Sequence, residues 1–164
     1  MPAAVVNASP LIFLAKLGRI DALTVFEPVL TTPEAFGEVT AGLALGYRDA
    51  LAVHRAVDTG ALTVRKAARL RAPPVGLDIG ELSVLGLAAT LPGSTAILDD
   101  LAAIKAARGM GLRARSTPFV LLDNVDAGRL TRMEFRQLLD ALVGHGYFMG
   151  PAPYNRLAEA ARGP

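Results

Sequence analysis

The chain has 164 residues, of which 52% are hydrophobic and none is cysteine. This length suits one domain with a sizeable core, so we expect a single domain over residues 1–164. The lack of cysteine excludes disulfides and thiolate metal sites, and it favours a cytoplasmic location. Apolar runs such as 11–15 are far shorter than the roughly 20 residues of a membrane span, so we expect no membrane association.

The charge balance is nearly neutral, with 17 Lys and Arg against 15 Asp and Glu. The resulting net charge of +2 is too small by itself to indicate nucleic-acid binding. Basic residues nevertheless cluster at 65–71, 108–115 and 129–136, where they could contact phosphates. For any one cluster a solvated face or linker is the simpler interpretation. The two histidines lie far apart in the sequence, which disfavours zinc.

The first half of the chain alternates short apolar segments with helical patterns. In order, the pattern predicts a strand at 3–6, a helix capped by Ser9 with Pro10 in its first turn, a helical turn at 20–26, a strand at 29–31, a helix opened by Thr32 and Pro33, a break at 42–46, a helix at 47–59 and a strand at 62–64. Gly60 ends the last of these helices.

The second half begins after a loose basic linker, at Asp78. Asp78 and Glu81 have the spacing of a capping box, and the helix that they open runs to about residue 91. A strand at 95–98, a helix at 101–110 and a strand at 112–115 follow, and then helices opened at Ser116, Thr131 and Tyr154. Residues from about 129 to 164 are predicted to form a helical extension of the same domain. Strands separated by helices predict an α/β fold with a mainly parallel sheet covered on both faces.

Polar residues follow the predicted strands: Asn7 and Ser9 after the first, Asp99 and Asp100 after the fourth, and Ser116 and Thr117 after the last. In an open parallel sheet these positions share the edge where ligands bind. Glu38 and Glu81 lie in helices and reach this edge only if those helices pack over it. Converging carboxylates repel one another, and a hard divalent cation such as Mg²⁺ or Mn²⁺ relieves that repulsion.

Each of these residues also has a simpler role. Ser9, Asp78, either acid of the Asp99-Asp100 pair, and Thr117 are all good helix N-caps. For Glu38 the alternative is an exposed helix position. The Asp99-Asp100 pair contains one more acid than a cap needs, which favours a site there. The sequence contains no phosphate-binding loop and no Gly-x-Ser-x-Gly elbow.

Several segments together resemble one known family: Val5 to Ile12, Leu14 to Gly18, Pro33-Glu34 with Glu38-Val39, Gly80-Glu81, and Leu98 to Asp100 with Ala106 to Arg108. They are similar to PIN-domain proteins, and more narrowly to a largely uncharacterised prokaryotic branch related to the VapC toxins. The resemblance implies a three-layer α/β/α sandwich, RNA cleavage that depends on Mg²⁺ or Mn²⁺, frequent homodimers, and a small antitoxin encoded alongside.

The family's acidic positions fall on Asn7, on Glu38, on Asp99 or Asp100, and near Thr117. Glu81 matches the acid of the branch's Gly-Glu motif, whereas Ser83 stands where a second Glu is usual. Asn7 and Thr117 offer neutral oxygens in place of two of the expected charges. This departure leaves open a site with one metal ion or a protein that has lost catalysis.

Our leading interpretation is a metal-dependent endoribonuclease of the toxin–antitoxin type. Asn7, Glu38, Asp99 and Asp100 are the predicted ligands of Mg²⁺ or Mn²⁺, and Glu81 and Thr117 complete the predicted catalytic set. A catalytically impaired module that binds nucleic acid or protein is the second interpretation. A small-molecule or nucleotide-binding α/β protein is the third.

Overall fold

The computed structural model of the chain describes residues 1–161. The last three residues of the predicted domain and of its C-terminal extension lie outside the described residues. The strands are β1 Ala4–Val6, β2 Val29–Thr31, β3 Thr63–Val64, β4 Thr95–Ile97 and β5 Arg113–Arg115. The α-helices are α1 Ala8–Lys16, α2 Pro33–Ala44, α3 Ala50–Asp58, α4 Ile79–Ala89, α5 Leu101–Gly109, α6 Thr117–Asp126, α7 Arg132–Gly144 and α8 Pro151–Ala160, and a 3-10 helix spans Ile20–Val25.

The strands form one parallel sheet in the order β3-β2-β1-β4-β5. Strands β1, β2 and β4 are buried along their whole length, as expected for a sheet with helices on both faces. Helices α1, α2 and α3 pack against one another, α4 packs against β1, β4 and α2, and α5 packs against β5. The predicted three-layer α/β/α sandwich with a parallel central sheet is therefore confirmed.

The predicted capping signals are largely confirmed. Thr32 caps α2, and Asp78 with Glu81 forms a complete capping box at the start of α4. The Thr131 capping box opens α7. Because each of these side chains accepts a hydrogen bond from a free N–H of the first helical turn, the helix starts follow from local sequence alone.

Four predicted boundaries were wrong. Ser9 is not a cap, because α1 begins at Ala8 and Asn7 precedes it without a side-chain capping bond. Helix α2 continues through Gly42 and ends only where Gly46 adopts a φ of +85°, so α3 begins at residue 50 and not at 47. Helix α8 begins at Pro151, a residue with no N–H to leave unpaired at a helix start.

Across residues 1–161, no helix combines the length and the apolar character needed to cross a lipid bilayer.

Candidate functional site

The candidate site lies where the strand order reverses. Chain order runs from β1 to β2 on one side of the sheet and from β4 to β5 on the other, and the last residues of β1, β4 and β5 are in register. A cleft of about 930 Å³ opens at this edge. Such a crevice is the usual ligand site of an open parallel sheet.

The structure brings five of the six predicted site residues to the walls of this cleft: Asn7, Glu38, Glu81, Asp99 and Asp100. The sixth, Thr117, is completely buried directly behind Asp99. The helices that carry Glu38 and Glu81 do pack over the strand edge, which the sequence alone left undecided.

Asp99 lies at the centre of a hydrogen-bonded group, here called the Asp99 cluster, that comprises Ser9, Asp99, Thr117 and Tyr147. The Thr117 N–H donates to Asp99 Oδ1 at 2.8 Å, and the Tyr147 hydroxyl donates to the same oxygen at 3.0 Å. The hydroxyls of Thr117 and Ser9 donate to Oδ2 at 2.8 and 3.3 Å. Both carboxylate oxygens of Asp99 therefore have two partners within the protein.

Burial and hydrogen bonding have opposite effects on the pKa of Asp99. Burial raises this pKa, and the hydrogen bonds from Thr117, Tyr147 and Ser9 lower it, with a net rise. Burial and the nearby Asp99 carboxylate raise the pKa of Tyr147 well above its ordinary value. Tyr147 therefore keeps its proton and acts as a donor. Its ring also packs edge-on against Phe13, with centroids 5.1 Å apart.

A second group lines the same cleft, here called the Glu38 cluster, and comprises Asn7, Glu38, Asp78 and Glu81. Three of its side-chain oxygens converge above Gly80. A methyl group on Gly80 would lie 2.6 Å from Glu38 Oε1 and 3.3 Å from both Asn7 Oδ1 and Asp78 Oδ1. The absence of a side chain at Gly80 therefore lets these oxygens approach the start of α4.

Among residues 1–161, the side-chain hydrogen bonds of the Glu38 cluster are confined to the capping box of Asp78 and Glu81. Asn7 Oδ1 is buried and accepts no hydrogen bond from any of the residues 1–161. Burial raises the pKa of Glu38, and the nearby carboxylates of Asp78 and Glu81 raise it further. Burial likewise raises the pKa of Glu81, an effect that its hydrogen bond from the Asp78 N–H partly opposes.

Asp100, the residue after Asp99, has two roles open to it. Its Oδ1 accepts a hydrogen bond from the Ala103 N–H at 2.9 Å and so caps α5, as one of the two sequence alternatives predicted. Its side chain is exposed and lines the cleft, and its charge contributes to the raised pKa of Glu81.

Ser83 links α2, which carries Glu38, to α4, which carries Glu81. Its hydroxyl donates to the Gly80 carbonyl at 2.7 Å, and its Oγ lies 2.6 Å from the Oγ1 of Thr32, the cap of α2. Because each hydroxyl has one proton, the Thr32 hydroxyl is the donor to Ser83. In place of the second Glu usual in the branch, this chain has a link that positions α2 against α4.

The donor set of the Glu38 cluster fits a hard divalent cation in its chemistry. Carboxylate and amide oxygens are the ligands that Mg²⁺ and Mn²⁺ prefer, and Asn7 Oδ1 is buried without a partner. In the part of the chain that the structure describes, no group of three or more His, Cys, Asp or Glu side chains could hold a metal ion. A cation here would therefore be bound by fewer than three acidic side chains, together with neutral oxygens and water.

Two residues of the site were missed by sequence reasoning. Tyr147 lies in the C-terminal extension, far from any strand end, and the one signal for it is an aromatic pair after Gly146. Asp78 was assigned only a capping role, although its Oδ1 both caps α4 and faces Glu38. Neither residue follows a strand, so the rule that predicted the other positions could not find them.

Fold and site together define a parallel α/β protein with an acidic cleft at its switch point. The chain matches the family DUF3368, described as a PIN domain, over residues 3–162. A solved PilT N-terminus domain protein from the hyperthermophilic archaeon Sulfolobus solfataricus P2 is similar, with 19% identity, a TM-score of 0.47, and coverage of 74% of this chain and 92% of that chain. A search of curated proteins found no match.

This chain therefore belongs to the PIN-domain family, which confirms the resemblance found in its sequence. PIN domains in general have nuclease-type functions, bind nucleic acids and depend on divalent metal ions.

Proposed function

We propose that the protein is a metal-dependent endoribonuclease of the toxin–antitoxin type, which hydrolyses RNA phosphodiester bonds in the cytoplasm. The observation that carries this proposal is the Asn7 Oδ1 atom, buried without a hydrogen-bond donor beside Glu38 at the switch point of a PIN fold. Leaving such a polar atom unsatisfied costs about 1–3 kcal/mol. A bound cation would offset this cost and the repulsion between the neighbouring carboxylates.

Asn7, Glu38 and Asp100 are the proposed ligands of Mg²⁺ or Mn²⁺, because their oxygens line the cleft. Asp99 completes the predicted set, but it must exchange hydrogen bonds from within the protein for a contact to the cation. When bound, the cation would lower the pKa of a water and offset charge on the phosphodiester.

The other predicted residues act through their positions. Thr117 and Tyr147 hold Asp99 in one orientation, and Ser9 anchors its second oxygen. Glu81 lines the cleft, and its raised pKa makes its carboxylate a better proton acceptor than an exposed glutamate. Glu81 is therefore the residue that we propose to take the proton of the attacking water.

The test is cleavage of a pool of single-stranded and structured RNA with Mg²⁺, with Mn²⁺ or with chelator. We expect cutting that depends on metal and that falls at least about 100-fold in a Glu38→Gln variant. Glu34→Gln is the matched control, because Glu34 is exposed on the same helix and loses the same charge. Failure of the folded, metal-supplied protein to cut any RNA would overturn the proposal.

A second candidate is a PIN module that binds nucleic acid or protein without cleavage. The neutral Asn7 and the lack, within residues 1–161, of any three acids or histidines grouped around one metal position favour it. An Asn7→Asp variant adds one carboxylate beside Glu38. A gain of strong cleavage from an inactive parent would support this candidate, and an active parent would exclude it.

The proposal includes a homodimer and a small antitoxin partner, which the resemblance to the VapC branch implies. Light scattering on the purified chain measures the first. Co-purification with the product of the neighbouring reading frame, followed by inhibition of RNA cleavage, tests the second.

A further inference from the structure

A second depression, here called the arginine groove, runs along the open edge of the sheet. It has a volume of about 530 Å³, and its charged lining consists of Arg108, Arg113, Arg115 and Asp123. Strand β5 forms this edge, because it pairs only with β4. Arg113 and Arg115 are exposed on either side of the buried Ala114, so their side chains leave the strand on the same face.

The arginine groove adjoins the acidic cleft. Arg108, Ala114 and Arg115 line both depressions, so the two meet at these residues. An extended polymer that lies in the cleft can therefore continue along the edge of the sheet. A small ligand would fill only one of the two depressions.

The positive charge of the groove is largely uncompensated. Arg115 pairs with Asp123 at 3.2 Å, but Arg108 and Arg113 are exposed and have no ion-pair partner among residues 1–161. The Arg115 guanidinium also lies 5.9 Å from the centre of the Phe119 ring, which helps to hold it at the border of the cleft. A cleft rich in carboxylates repels phosphates, and a row of arginines beside it counteracts that repulsion.

Aromatic side chains on the cleft indicate the form of the polymer. Phe148 is 96% exposed and Phe119 is 44% exposed, and both line the cleft. Exposed aromatic rings beside guanidinium groups are typical of surfaces that bind unpaired nucleotides, because the rings stack on bases while the arginines contact phosphates. A duplex has its bases stacked internally and gains nothing from these rings.

We propose that the arginine groove is a second binding site, which takes backbone phosphates of single-stranded RNA beyond the segment held in the acidic cleft. Arg108 and Arg113 contact these phosphates, and Arg115 guides the strand from the cleft into the groove. The inference rests on the proposed function in taking RNA as the polymer, but it requires no cleavage.

The experiment measures binding of a labelled, unstructured RNA of about 12 nucleotides to the full chain in chelator, at several salt concentrations. The groove variant is Arg108→Gln/Arg113→Gln. The matched control is Arg69→Gln/Arg71→Gln, which removes two exposed charges that do not line the groove or the cleft. Circular dichroism confirms that each variant is folded.

We expect the groove variant to bind the RNA about tenfold more weakly than the parent. The slope of log Kd against log salt concentration should fall by about 1.4, since each phosphate contact on a single strand contributes about 0.7 to this slope. The control should bind like the parent. A trinucleotide, which fills the cleft alone, should bind the parent and an Arg113→Gln variant equally, because Arg113 lines the groove and not the cleft.

The outcomes separate this inference from the proposed function. If the parent cuts no RNA but the groove variant binds RNA more weakly than the parent, the proposed nuclease activity is overturned and the second binding site is supported. Equal RNA binding by the parent, the groove variant and the control would overturn the second site, whether or not the parent cuts RNA. A changed oligomeric state of the groove variant with unchanged RNA affinity would identify this edge as a contact between chains, and would also overturn it.

Discussion

The two clusters in the acidic cleft differ in how their carboxylates and amide oxygen are hydrogen-bonded. In the Asp99 cluster four donors from the protein satisfy the two oxygens of one acid. In the Glu38 cluster an amide oxygen is buried without a donor, and burial, followed by the charges of Asp78 and Glu81, raises the pKa of Glu38. The contrast indicates that the Asp99 cluster is built to hold its own geometry. The Glu38 cluster leaves one buried oxygen without a donor, which the proposed cation would contact.

The largest effect is expected where the Asp99 cluster is broken. Asp99→Ala leaves the donors of Thr117 and Tyr147 without acceptors, which should lower the free energy of unfolding by about 2–3 kcal/mol. Asp99→Asn should cost less than about 1 kcal/mol, since its oxygen keeps the bonds from the Thr117 N–H and Tyr147 while its amide donates to the hydroxyls of Ser9 and Thr117. Urea unfolding of both variants measures the difference. Equal losses would show that these hydrogen bonds do not hold the cluster.

The second prediction disturbs the Glu38 cluster alone. Gly80→Ala places a methyl carbon 2.6 Å from Glu38 Oε1, so this carboxylate must move by about 1 Å, and cleavage should fall about tenfold to 100-fold. Stability should change little, because the displaced atom is the end of a flexible side chain and Ala favours a helix over Gly.

Gly86→Ala on the same helix is the contrasting variant for that prediction. Its methyl carbon would overlap the Ala68 backbone oxygen, which cannot move without shifting the linker. It should therefore lower the melting temperature, whereas Gly80→Ala should not. Full cleavage activity in a folded Gly80→Ala protein would contradict the role given to Glu38.

Divalent cations should stabilise the folded protein through the Glu38 cluster. Mg²⁺ or Mn²⁺ at about ten times its Kd should add about 1.4 kcal/mol of stability, and this gain should be lost with chelator or in a Glu38→Gln variant. Retention of the full gain in Glu38→Gln, measured by thermal unfolding, would place the cation elsewhere.

The pH dependence of stability follows from the same carboxylates. The pKa values of Glu38, Glu81 and Asp99 are all raised in the folded chain, from ordinary values of 4.5, 4.5 and 3.8. Above pH 4 the folded chain therefore binds more protons than the unfolded chain, so its stability in chelator should fall as pH rises through the raised values. A cation competes with these protons, so its stabilising effect should grow over the same range. Melting temperatures recorded with and without Mn²⁺ measure both trends.

The smallest effect is expected for Tyr147→Phe. This change removes one of the four hydrogen bonds to Asp99 and keeps the ring that packs on Phe13, so the loss of stability should be about 0.5–1 kcal/mol. A loss as large as that of Asp99→Ala would mean that Tyr147, and not Thr117, is the main support of the cluster.

Much of this molecule was predictable from local sequence. Apolar segments of strand length, separated by capping signals such as Thr32-Pro33 and Asp78 with Glu81, predict the order of strands and helices. Positions directly after strands predict Asn7, Asp99 and Thr117, because parallel strands end at one edge. One of the boundaries failed because a side chain has a distant partner: Ser9 has the sequence pattern of a cap, but its hydroxyl contacts Asp99, 90 residues away.

Sequence alone therefore determined the family, the α/β layering and the identity of most acids that line the cleft, since strand ends and helix caps are properties of short segments. Only the tertiary structure decided which acids are satisfied and which are not. That division depends on Tyr147 reaching Asp99 from the C-terminal extension and on Glu38 meeting Asn7 above Gly80. Hydrogen bonding and charge repulsion act over a few ångströms in space, and no spacing along the chain encodes those contacts.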